Sequence, residues 1–555
     1  MKDPTSLLIG EDATILEALA QLDASKQRLL LCVDANRTLL GVLADGDIRR
    51  ALIAGRTLDA PIAGCVNRNP IFISSRAKPR EVDLLLTDRV QILPVVDERH
   101  RVVGYHSYKH RLDKGPDGLQ NVAIFGLGYV GLTLALHLAS RGFNVVGYDV
   151  NADLVARIRD RQAPFYELRL EAMLEAHVGG NFHVTSTLAD VRCDIYIVTV
   201  GSPVNPATKK PELGAIARAA ADIGGLLSAN DLVVLRSTVP VGCNRGTVLP
   251  ILEQASGLRC GEGFSLAFAP ERTAEGLALV ELPLNPQIIG GFDKKSVDSA
   301  SRLFNRLTPS VISVDSLEAA ELCKLLDNCF RDHLFAFSNH LAPLAENLGL
   351  DLCRLIDAVN YGYTRNAIPK PSPGVGGPCL TKDPYILMDV MARQGLDTSL
   401  TLAARRKNEE GPGQVRDKLR NLLWECGKDL AGAVVTVAGM AFKGYPETSD
   451  LRGSMSLDIV AALLRENAVV RCYDAVAYPE ELRALGLDQV DREGAFRGAD
   501  AVVFANNHRG FTNWNIAHLA GLMRQPGVII DCWHIFDPQE LKKTRGLVCG
   551  GLGND

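Results

Sequence analysis

The chain has 555 residues, of which 47% are hydrophobic and 23% are charged, and a formal net charge of −5. This length is too great for a single hydrophobic core and predicts three or four domains, while the small acidic excess excludes bulk electrostatic attraction to nucleic acid. We expect neither a membrane span nor a signal segment, and thirteen cysteines without C-x-x-C pairs or zinc-like histidine spacing indicate reduced thiols, no metal site and a cytoplasmic protein.

Two weakly similar halves make up residues 1–115. Each half predicts a helix, an apolar strand that ends in Val-Asp, and a second strand that begins at a glycine, at Gly41 and Gly104. Duplication at a period of about sixty residues predicts a pseudo-symmetric pair that buries one shared face. The segment resembles a tandem CBS domain pair (Bateman module) of α+β class, and residues 109–119 are the predicted linker.

CBS pairs commonly bind adenine nucleotides through an Asp that follows the glycine-led strand. The resemblance places this Asp at Asp47, with Arg49 and Arg50 close enough to meet phosphate. Ala44 stands where a hydroxyl residue is usual, and His110 takes the Asp position in the second half. We therefore expect one working and one degenerate site, with an oligomerisation scaffold that binds no nucleotide as the alternative.

Residues 119–312 alternate short apolar strands with helical stretches, which predicts a parallel α/β sheet. The first strand runs into the motif Gly126-Leu127-Gly128-Tyr129-Val130-Gly131. Its glycines suit a tight turn, close backbone approach to pyrophosphate and helix–strand contact, and the helix start offers unpaired N–H groups to phosphates. The next strand ends at Asp149, which can bind both ribose hydroxyls and would repel a 2′-phosphate, so NAD is predicted rather than NADP. A glycine-rich turn with a surface Asp is the alternative.

Residues 313–412 open with a helical pattern about thirty residues long, 316–348, of the kind that bridges domains or packs against a partner subunit. Lys324 and Asn328 lie one turn apart on one face of this helix. A cation and an amide in this arrangement can stabilise an alkoxide. A solvated lysine beside an asparagine in the core is the alternative.

The same region contains Gly376-Gly377-Pro378-Cys379-Leu380-Thr381-Lys382-Asp383, which sets a thiol between a Gly-Gly turn and a cation–carboxylate pair. A helix starting at Cys379 would, together with Lys382, favour the thiolate, and Asp383 could then hold or activate water. The three groups indicate covalent chemistry at a carbonyl. A buried structural thiol next to an ordinary turn is the alternative.

Residues 413–545 return to strand–helix alternation and predict a second doubly wound domain. The fold class is therefore α/β, with two Rossmann-like domains joined by a long central helix behind the N-terminal pair. Taken together, the ordered motifs resemble the UDP-glucose/GDP-mannose dehydrogenase family over residues 120–535. The motifs are Ser237-Thr238-Val239-Pro240-Val241-Gly242, Pro270-Glu271-Arg272, Glu321-x-x-Lys324-x-x-x-Asn328, the Cys379 octapeptide, Ala441-Phe442-Lys443 and Asp450-Leu451-Arg452.

This resemblance implies oxidation of C6 of a nucleotide-activated hexose from alcohol to carboxylate, with two NAD per turnover. It implies that Lys324 polarises the C6 oxygen with Asn328 beside it, and that Cys379 captures the aldehyde and carries it to a thioester. The carboxylates implied to activate water are those of Asp383 and Glu271, with Thr238 placing the water. The implied cofactor contacts are Gly126, Gly128, Tyr129, Val130, Gly131, Asp149, Thr238, Glu275 and Lys382. Beyond Lys324 and Asn328, the implied substrate contacts are Arg272, Arg365, Lys370, Gly376, Lys443 and Arg452, with Arg365 reaching into a neighbouring subunit.

The motifs point to two different sugar substrates. Arg272 resembles the branch that acts on UDP-N-acetylhexosamines, whereas Ala274-Glu275-Gly276 and the Lys382-Asp383 pair resemble the UDP-glucose branch. Pro378 stands where the UDP-N-acetylhexosamine branch tends to have His. We expect a UDP-N-acetylhexosamine, with UDP-glucose next, and a role in surface polysaccharide synthesis. We also expect at least a homodimer through the 316–348 helix and no nucleic-acid or membrane partner. The alternatives are an inactive nucleotide-sensing scaffold and a non-covalent NAD oxidoreductase, such as a 2-hydroxy-acid type.

Overall fold

The computed structural model describes residues 3–25, 29–77, 85, 90, 92–107 and 121–553. The chain divides into two compact units, Met1–Gln120 and Asn121–Asp555. The predicted linker, 109–119, and His110 lie outside the described residues. Within the described part of the chain, no helix combines the length and the apolar character that crossing a bilayer requires.

The first unit contains two three-stranded sheets of one topology. In each, a short strand pairs in parallel with a central strand, and the central strand pairs antiparallel with the third. Residues of both sheets, among them Leu30 and Tyr105, share one buried apolar cluster, which confirms the shared face predicted from the duplication. The elements are β1 Leu8–Gly10, α1 Ile15–Ser25, β2 Leu29–Val33, β3 Leu39–Ala44, α2 Asp45–Ile53, β4 Ile73–Ser74, β5 Ile92–Val96 and β6 Val102–Ser107.

Equivalent positions of the two halves pair with each other across the unit. The Leu39 N–H donates to the His100 carbonyl at 3.0 Å, and the Val102 N–H donates to the Arg37 carbonyl at 2.9 Å. Arg37 and His100 both have positive φ, at 62° and 61°, and a bulge interrupts the antiparallel pair at the same place in each sheet. These matched details confirm the predicted internal duplication.

The first sheet of the second unit has eight strands in the order β14-β13-β12-β11-β10-β7-β8-β9. Its strands run parallel except where β12 meets β13. Strands β10, β11 and β12 are buried along their whole length, as expected where helices cover both faces. The elements are β7 Asn121–Phe125, α3 Tyr129–Ser140, β8 Asn144–Tyr148, α4 Ala152–Arg159, α5 Leu170–His177, β9 Phe182–Thr185, β10 Ile195–Val198, α6 Gly214–Gly224, β11 Leu232–Leu235, α7 Leu249–Ser256, β12 Ser265–Phe268, α8 Ala278–Glu281, β13 Gln287–Gly291, α9 Lys294–Phe304 and β14 Val311–Ser313.

The predicted long helix is α10, Leu317–Asn347, with 31 residues. Ser316 caps it by accepting the Ala319 N–H at 3.1 Å, and at 1.5 Å per residue the helix spans roughly 45 Å. Its apolar side chains do not all face inward, because several remain exposed along one side. The helices that follow it are α11 Leu352–Asn360, α12 Asp383–Arg393, α13 Ser399–Glu409 and α14 Gly411–Glu425.

The second sheet of this unit has five parallel strands in the order β16-β15-β17-β18-β19. In chain order, the CBS-like unit is followed by a largely parallel sheet, then α10, then a second, wholly parallel sheet, which confirms the predicted fold class. The division of the second unit at 119–312, 313–412 and 413–545 stays a prediction. The remaining elements are β15 Val434–Ala438, α15 Met455–Arg465, β16 Val469–Tyr473, α16 Pro479–Ala484, β17 Ala501–Phe504, α17 Ile516–Ala520, β18 Gly527–Asp531, α18 Pro538–Lys542 and β19 Leu547–Gly551.

Candidate active site

The turn between β7 and α3 has the geometry of a dinucleotide site. Gly126 has φ of +97°, and a Cβ at Gly131 would lie 1.8 Å from the Gly126 carbonyl oxygen, so only glycine fits at that third position. Above Gly128 there is open space, which leaves the backbone accessible to a pyrophosphate. Strand β7 also lies where the strand order reverses, the place where such sheets bind ligands.

Asp149 follows β8 and turns back toward the same site. Its Oδ2 accepts the Leu127 N–H at 2.7 Å, and its Oδ1 accepts the Asn151 N–H at 2.9 Å. The carboxylate therefore sits beside the glycine turn, where it can meet a ribose. These residues fit NAD: the glycines and the start of α3, including Tyr129 and Val130, would hold the pyrophosphate, and Asp149 would hold the adenosine ribose.

Four polar side chains on the buried side of α10 form what we call the anchor stripe: Glu321, Lys324, Asn328 and Asp332. All are at most 8% exposed, and each binds a different segment of the chain. Glu321 accepts the Gly242 N–H at 2.5 Å, and Lys324 Nζ donates to the Glu271 carbonyl oxygen at 2.5 Å. Asn328 Nδ2 donates to Asp383 Oδ2 at 2.5 Å, and Asp332 pairs with a buried arginine of α13 at 2.6 Å.

The octapeptide that carries Cys379 forms a turn rather than the start of a helix. Helix α12 begins at Asp383, and the Cys379 carbonyl oxygen accepts the N–H groups of Lys382 at 3.1 Å and Asp383 at 3.0 Å. The expectation of a helix starting at Cys379 is therefore wrong, because residues 378–382 still belong to the turn that follows Gly377 and α12 begins only after them. The thiol lies before the helix instead of on its first residue.

The electrostatic surroundings of the thiol are also less favourable than expected. All thirteen cysteines lie in the described chain, and only Cys379 is exposed. Although the thiol reaches solvent, protein surrounds it closely, so burial raises its pKa and Asp383 raises it further. The cations Lys324 and Lys382 oppose this effect. The pKa of Cys379 is therefore raised overall, contrary to the expectation of a stabilised thiolate.

Asp383 joins the predicted catalytic residues to one another. Its side chain is fully buried, with Oδ2 bound by Asn328 and Oδ1 bound by Lys382 Nζ at 2.7 Å. It also lies close enough to Cys379 to raise the pKa of the thiol. The structure thus brings Lys324, Asn328, Lys382 and Asp383 together around Cys379.

Glu271 is held in a different way. Its Oε2 binds Arg236 at 2.5 and 2.9 Å, and its Oε1 accepts the N–H groups of Arg272 and Thr273, each at 2.7 Å. Burial is the largest influence and would raise its pKa, but Arg236 and the hydrogen bonds from Thr273 together outweigh burial, and the pKa is lowered. A carboxylate so fully bonded is a poor proton acceptor. Thr238 is half-buried, and its carbonyl oxygen accepts the Ser202 hydroxyl.

Predicted cofactor and substrate residues meet where the segment after β15 contacts the segment after β12 and the start of α3. Lys443 Nζ donates to the Glu275 carbonyl oxygen at 2.7 Å, and burial lowers the pKa of Lys443. Arg452 binds Asp450 at 2.6 Å and lies over the ring of Tyr129, 5.6 Å from its centroid. Arg452 therefore lies beside the first residue of α3 with 62% of its side chain exposed, and Lys443 is half-buried against Glu275.

Glu275 belongs to this cluster and has a strongly shifted pKa. Burial and then the Asp450 carboxylate raise the pKa of Glu275 to about 8, against Arg452 and Lys443. The folded protein therefore holds a proton that the unfolded chain releases near pH 4.5. It follows that the free energy of unfolding falls as pH rises from 4.5 to 8, by at most about 1.4 kcal/mol per pH unit from this group.

Glu275→Gln should remove this titration while keeping the size of the side chain. We expect the Tm of the variant, relative to wild type, to increase as pH rises from 4.5 to 8 and to level off above 8. Thermal unfolding across this range measures the difference. A Tm difference that does not change with pH would contradict the shifted carboxyl group.

The other predicted basic substrate contacts, Arg272, Arg365 and Lys370, are exposed. Arg272 Nε binds Asp327 at 2.7 Å on the outside of α10. Lys370 binds Asp357 at 2.9 Å, and the exposed Arg365 lies over the ring of Tyr363. In the described chain, neither Lys370 nor Arg365 bonds to the residues around Cys379.

Gly376 packs directly against the segment that follows Arg452. A Cβ at Gly376 would lie 2.4 Å from the Gly453 carbonyl oxygen, and the Gly377 N–H donates to the same oxygen at 2.9 Å. The glycine pair thus lets the loop of Cys379 contact the backbone beside the β15–β19 sheet.

Comparison with known proteins agrees with this arrangement. Models of the UDP-glucose/GDP-mannose dehydrogenase family match the chain in three consecutive parts: the NAD binding domain over residues 120–308, the central domain over 318–410 and the UDP binding domain over 436–538. The chain belongs to the UDP-glucose/GDP-mannose dehydrogenase family. It is an NAD-dependent nucleotide-sugar dehydrogenase, and a CBS domain model matches its residues 3–54.

Relatives of this dehydrogenase cover most of its second unit. The UDP-N-acetyl-D-mannosamine dehydrogenase of Pyrococcus horikoshii is 32% identical over 434 residues, which are 78% of this chain and 99% of the relative. The NDP-N-acetyl-D-galactosaminuronic acid dehydrogenase of Ralstonia solanacearum is 31% identical over 74% of this chain and 95% of its own. The solved structure of the Pyrococcus horikoshii enzyme has a TM-score of 0.71 at 31% identity, covering 78% of this chain and 99% of that one.

Several residues around the site of this dehydrogenase were not found from the sequence. Asp332 continues the i, i+4 spacing of Lys324 and Asn328, and that spacing was a usable signal. Arg236 precedes the Ser237–Thr238 motif, but nothing local indicates that it pairs with Glu271. Phe165, which stacks on the Tyr129 ring with centroids 3.8 Å apart, comes from a loop without any motif.

The CBS-like unit places its predicted nucleotide residues at the start of α2. Asp47 Oδ2 accepts the Ala44 N–H at 2.9 Å, and Asp47 also pairs with Arg50. Arg49 pairs with Asp45 at 2.8 Å. These ion pairs are largely exposed, and exposed pairs are weak, so both arginines can exchange a carboxylate for a phosphate.

Proposed function

We propose that this dehydrogenase oxidises C6 of a UDP-sugar to the carboxylate in two steps, through covalent intermediates on Cys379. The observation that carries the proposal is the meeting of Lys324, Asn328, Lys382 and Asp383 around the one exposed thiol. NAD⁺, when bound, accepts the hydride released in each oxidation. The remaining chemistry belongs to side chains of this chain.

In the first oxidation, Lys324 and Asn328 stabilise the alkoxide at O6. Both are held by hydrogen bonds to Glu271 and Asp383, so they are oriented before substrate binds. A fixed cation and amide in a buried site stabilise developing negative charge without reorganisation. The anchor stripe thus provides a preformed alkoxide site.

In the second oxidation, the Cys379 sulfur forms a bond to the aldehyde carbon. The thiohemiacetal loses hydride to become a thioester, and water then releases the carboxylate and regenerates the thiol. Because the thiol pKa is raised, its proton must leave as the bond forms, and Lys324 and Lys382 stabilise the resulting charge. Holding the aldehyde covalently keeps it in the site between the two steps.

For hydrolysis of the thioester, Asp383 is the better of the two predicted carboxylates. It lies next to Cys379, and within the described chain its side chain bonds only to Asn328 and Lys382, whereas Glu271 is saturated by Arg236 and two backbone N–H groups. We assign water activation to Asp383 and placement of the water to Thr238. Glu271 then serves to fix the carbonyl that holds Lys324.

A UDP-N-acetylhexosamine is the favoured substrate and UDP-glucose the next. Support comes from Arg272 beside α10 and from relatives named as dehydrogenases of N-acetylated sugars. The test is NADH formation with UDP-N-acetylglucosamine, UDP-N-acetylmannosamine, UDP-N-acetylgalactosamine, UDP-glucose and GDP-mannose. Formation of two NADH per uronic acid with one UDP-sugar supports the proposal, and no NADH formation with any of the five nucleotide sugars contradicts it.

We further propose a homodimer through the outer side of α10. Five apolar side chains on this side are between 37% and 65% exposed: Leu322, Leu326, Phe330, Phe337 and Leu344. Their spacing of four or seven residues keeps them on one stripe. A continuous apolar stripe along a helix of this length suits pairing with a second copy about a twofold axis.

Phe330→Asp should weaken the dimer by about a hundredfold or more, because it buries a charge at the centre of the stripe. Light scattering after gel filtration measures the mass. Leu396→Asp changes a side chain that is 59% exposed and lies off α10, so it serves as the matched control and should remain dimeric. A wild-type monomer would rule out this interface.

The CBS-like unit is proposed to bind an adenine nucleotide at Asp47, with phosphate near Arg49 and Arg50, and to alter kinetics or assembly. Calorimetry with AMP, ATP and NAD should give heat with at least one of them, and Asp47→Ala should reduce the affinity about tenfold or more. Asp59→Ala, at an exposed residue in the loop after α2, should bind as wild type does. No heat with any nucleotide leaves the scaffold alternative.

The remaining expectations rest on the same residues. Thirteen free thiols support our proposal of a cytoplasmic location, where thiols stay reduced. A uronic acid attached to UDP is a sugar donor, and we propose that it supplies surface polysaccharide synthesis. The three domains proposed for the second unit are 119–312, 313–412 and 413–545.

A further inference from the structure

The loop that carries Cys379 is held on both sides by a single side chain. Arg405 of α13 has no exposed surface. Its guanidinium donates to the Leu380 carbonyl at 2.8 Å through Nη1 and to the Val375 carbonyl at 3.0 Å through Nη2. These two carbonyls flank residues 376–379, so one rigid group fixes the separation of the ends of the thiol-bearing turn.

The same guanidinium connects the loop to α10. Arg405 Nη1 binds Asp332 Oδ1 at 2.6 Å, and Asp332 is also wholly buried. Asn408 Nδ2 donates to both Oδ1 and the carbonyl oxygen of Asp332 at 2.9 Å, which fixes the carboxylate. Because Asp332 lies one turn beyond Asn328 in the anchor stripe, the thiol loop and the alkoxide site share one support.

Stability alone does not account for this ion pair. Taking both charges out of water is costly, and well-packed apolar residues of the same volume often give a more stable protein. Apolar residues cannot fix the orientation of the loop, whereas the planar guanidinium of Arg405 makes three hydrogen bonds in fixed geometry. A lysine at this position would keep the positive charge but lack the planar guanidinium that donates to several acceptors at once.

We propose that Arg405 and Asp332 are positioning residues that hold the Cys379 thiol against the site of Lys324 and Asn328. The inference rests on the function proposed above. Its consequence is selective, because only the second oxidation needs the sulfur to reach the aldehyde carbon. When the S–C bond does not form, the aldehyde leaves the site after one oxidation.

The first test compares Arg405→Lys with Arg406→Lys, the exposed neighbour on α13. In Arg405→Lys we expect acid formation to fall by about tenfold to a hundredfold, with the first oxidation changed less than about threefold. Aldehyde trapped by hydroxylamine should appear, and NADH per uronic acid should rise above two. Arg406→Lys should match wild type in all three measurements.

The second test needs no substrate. Iodoacetamide labelling followed by peptide mass spectrometry gives the alkylation rate of each cysteine, with buried Cys193 and Cys353 as internal references. Freeing the loop should lessen the burial that raises the Cys379 pKa, so Arg405→Lys should alkylate at Cys379 at least about threefold faster. The two reference thiols should be unchanged.

Equal alkylation of Cys379 in Arg405→Lys and Arg406→Lys, without aldehyde release, would overturn the proposal. So would faster alkylation of all three thiols together, because that result assigns the pair to global stability. If Arg405→Lys does not fold, Asp332→Asn carries the same measurements. If wild type oxidises no nucleotide sugar, the proposed function fails, while the labelling contrast still decides whether Arg405 holds the loop.

Discussion

Cys379→Ser is expected to lower the rate of uronic acid formation by more than about 10³-fold. Serine keeps the shape of the site, but its hydroxyl is a far weaker nucleophile than a thiol near Lys324 and Lys382. The first oxidation needs no thiol, so aldehyde should still form. Single-turnover NADH traces and mass spectrometry of the sugar product separate the two steps.

The control is Cys426→Ser, at a half-buried cysteine next to the end of α14, which should leave both steps unchanged. With the wild-type protein, acid quench during turnover should trap a mass increase on the peptide that contains Cys379. Full acid formation by Cys379→Ser would show that the oxidation is not covalent. It would favour a mechanism in which an aldehyde hydrate is oxidised directly.

Lys324→Met is expected to lower kcat for the first oxidation by about 10² to 10³-fold, because the alkoxide loses its cation. KM should change little, since this interaction is strongest in the transition state. Hydride transfer should then limit the rate, and substrate deuterated at C6 should react more slowly. Steady-state kinetics with both isotopes measure this.

The same change also leaves the Glu271 carbonyl oxygen without its donor at 2.5 Å. This unsatisfied buried group should cost about 1–3 kcal/mol of stability, which thermal unfolding detects. Lys295→Met, at an exposed lysine of α9, is the control for loss of a cation. A fall in kcat without an isotope effect would place Lys324 in folding or product release rather than in the first step.

Local patterns identified most of the fold and much of the site. The glycine turn at Gly126–Gly131 and the acid at Asp149 follow from a backbone that must approach phosphate closely. The face of α10 that carries Lys324 and Asn328 follows from helical periodicity alone. In both cases the determining interactions lie within a few residues along the chain.

The parts that sequence patterns could not predict depend on contacts between distant segments. Whether Cys379 begins a helix depends on how Gly376 and Gly377 pack against Gly453, and that contact has no local signature. The ion-paired carboxylate of Glu271 requires Arg236, which follows the neighbouring strand β11. In the same way, Arg405 contacts Asp332 only because α13 packs on α10.

The anchor stripe has a consequence for how positional errors accumulate in the site. The loops at Gly242 and Glu271, the start of α12 at Asp383 and the helix at Arg405 are each bonded directly to α10, and Arg405 also bonds to the Cys379 loop. A displacement of α10 therefore carries all four segments together and leaves the distances among the reacting groups nearly unchanged. Only bending between Glu321 and Asp332 would change those distances, and the helix-distorting Pro343 lies about three turns beyond that segment.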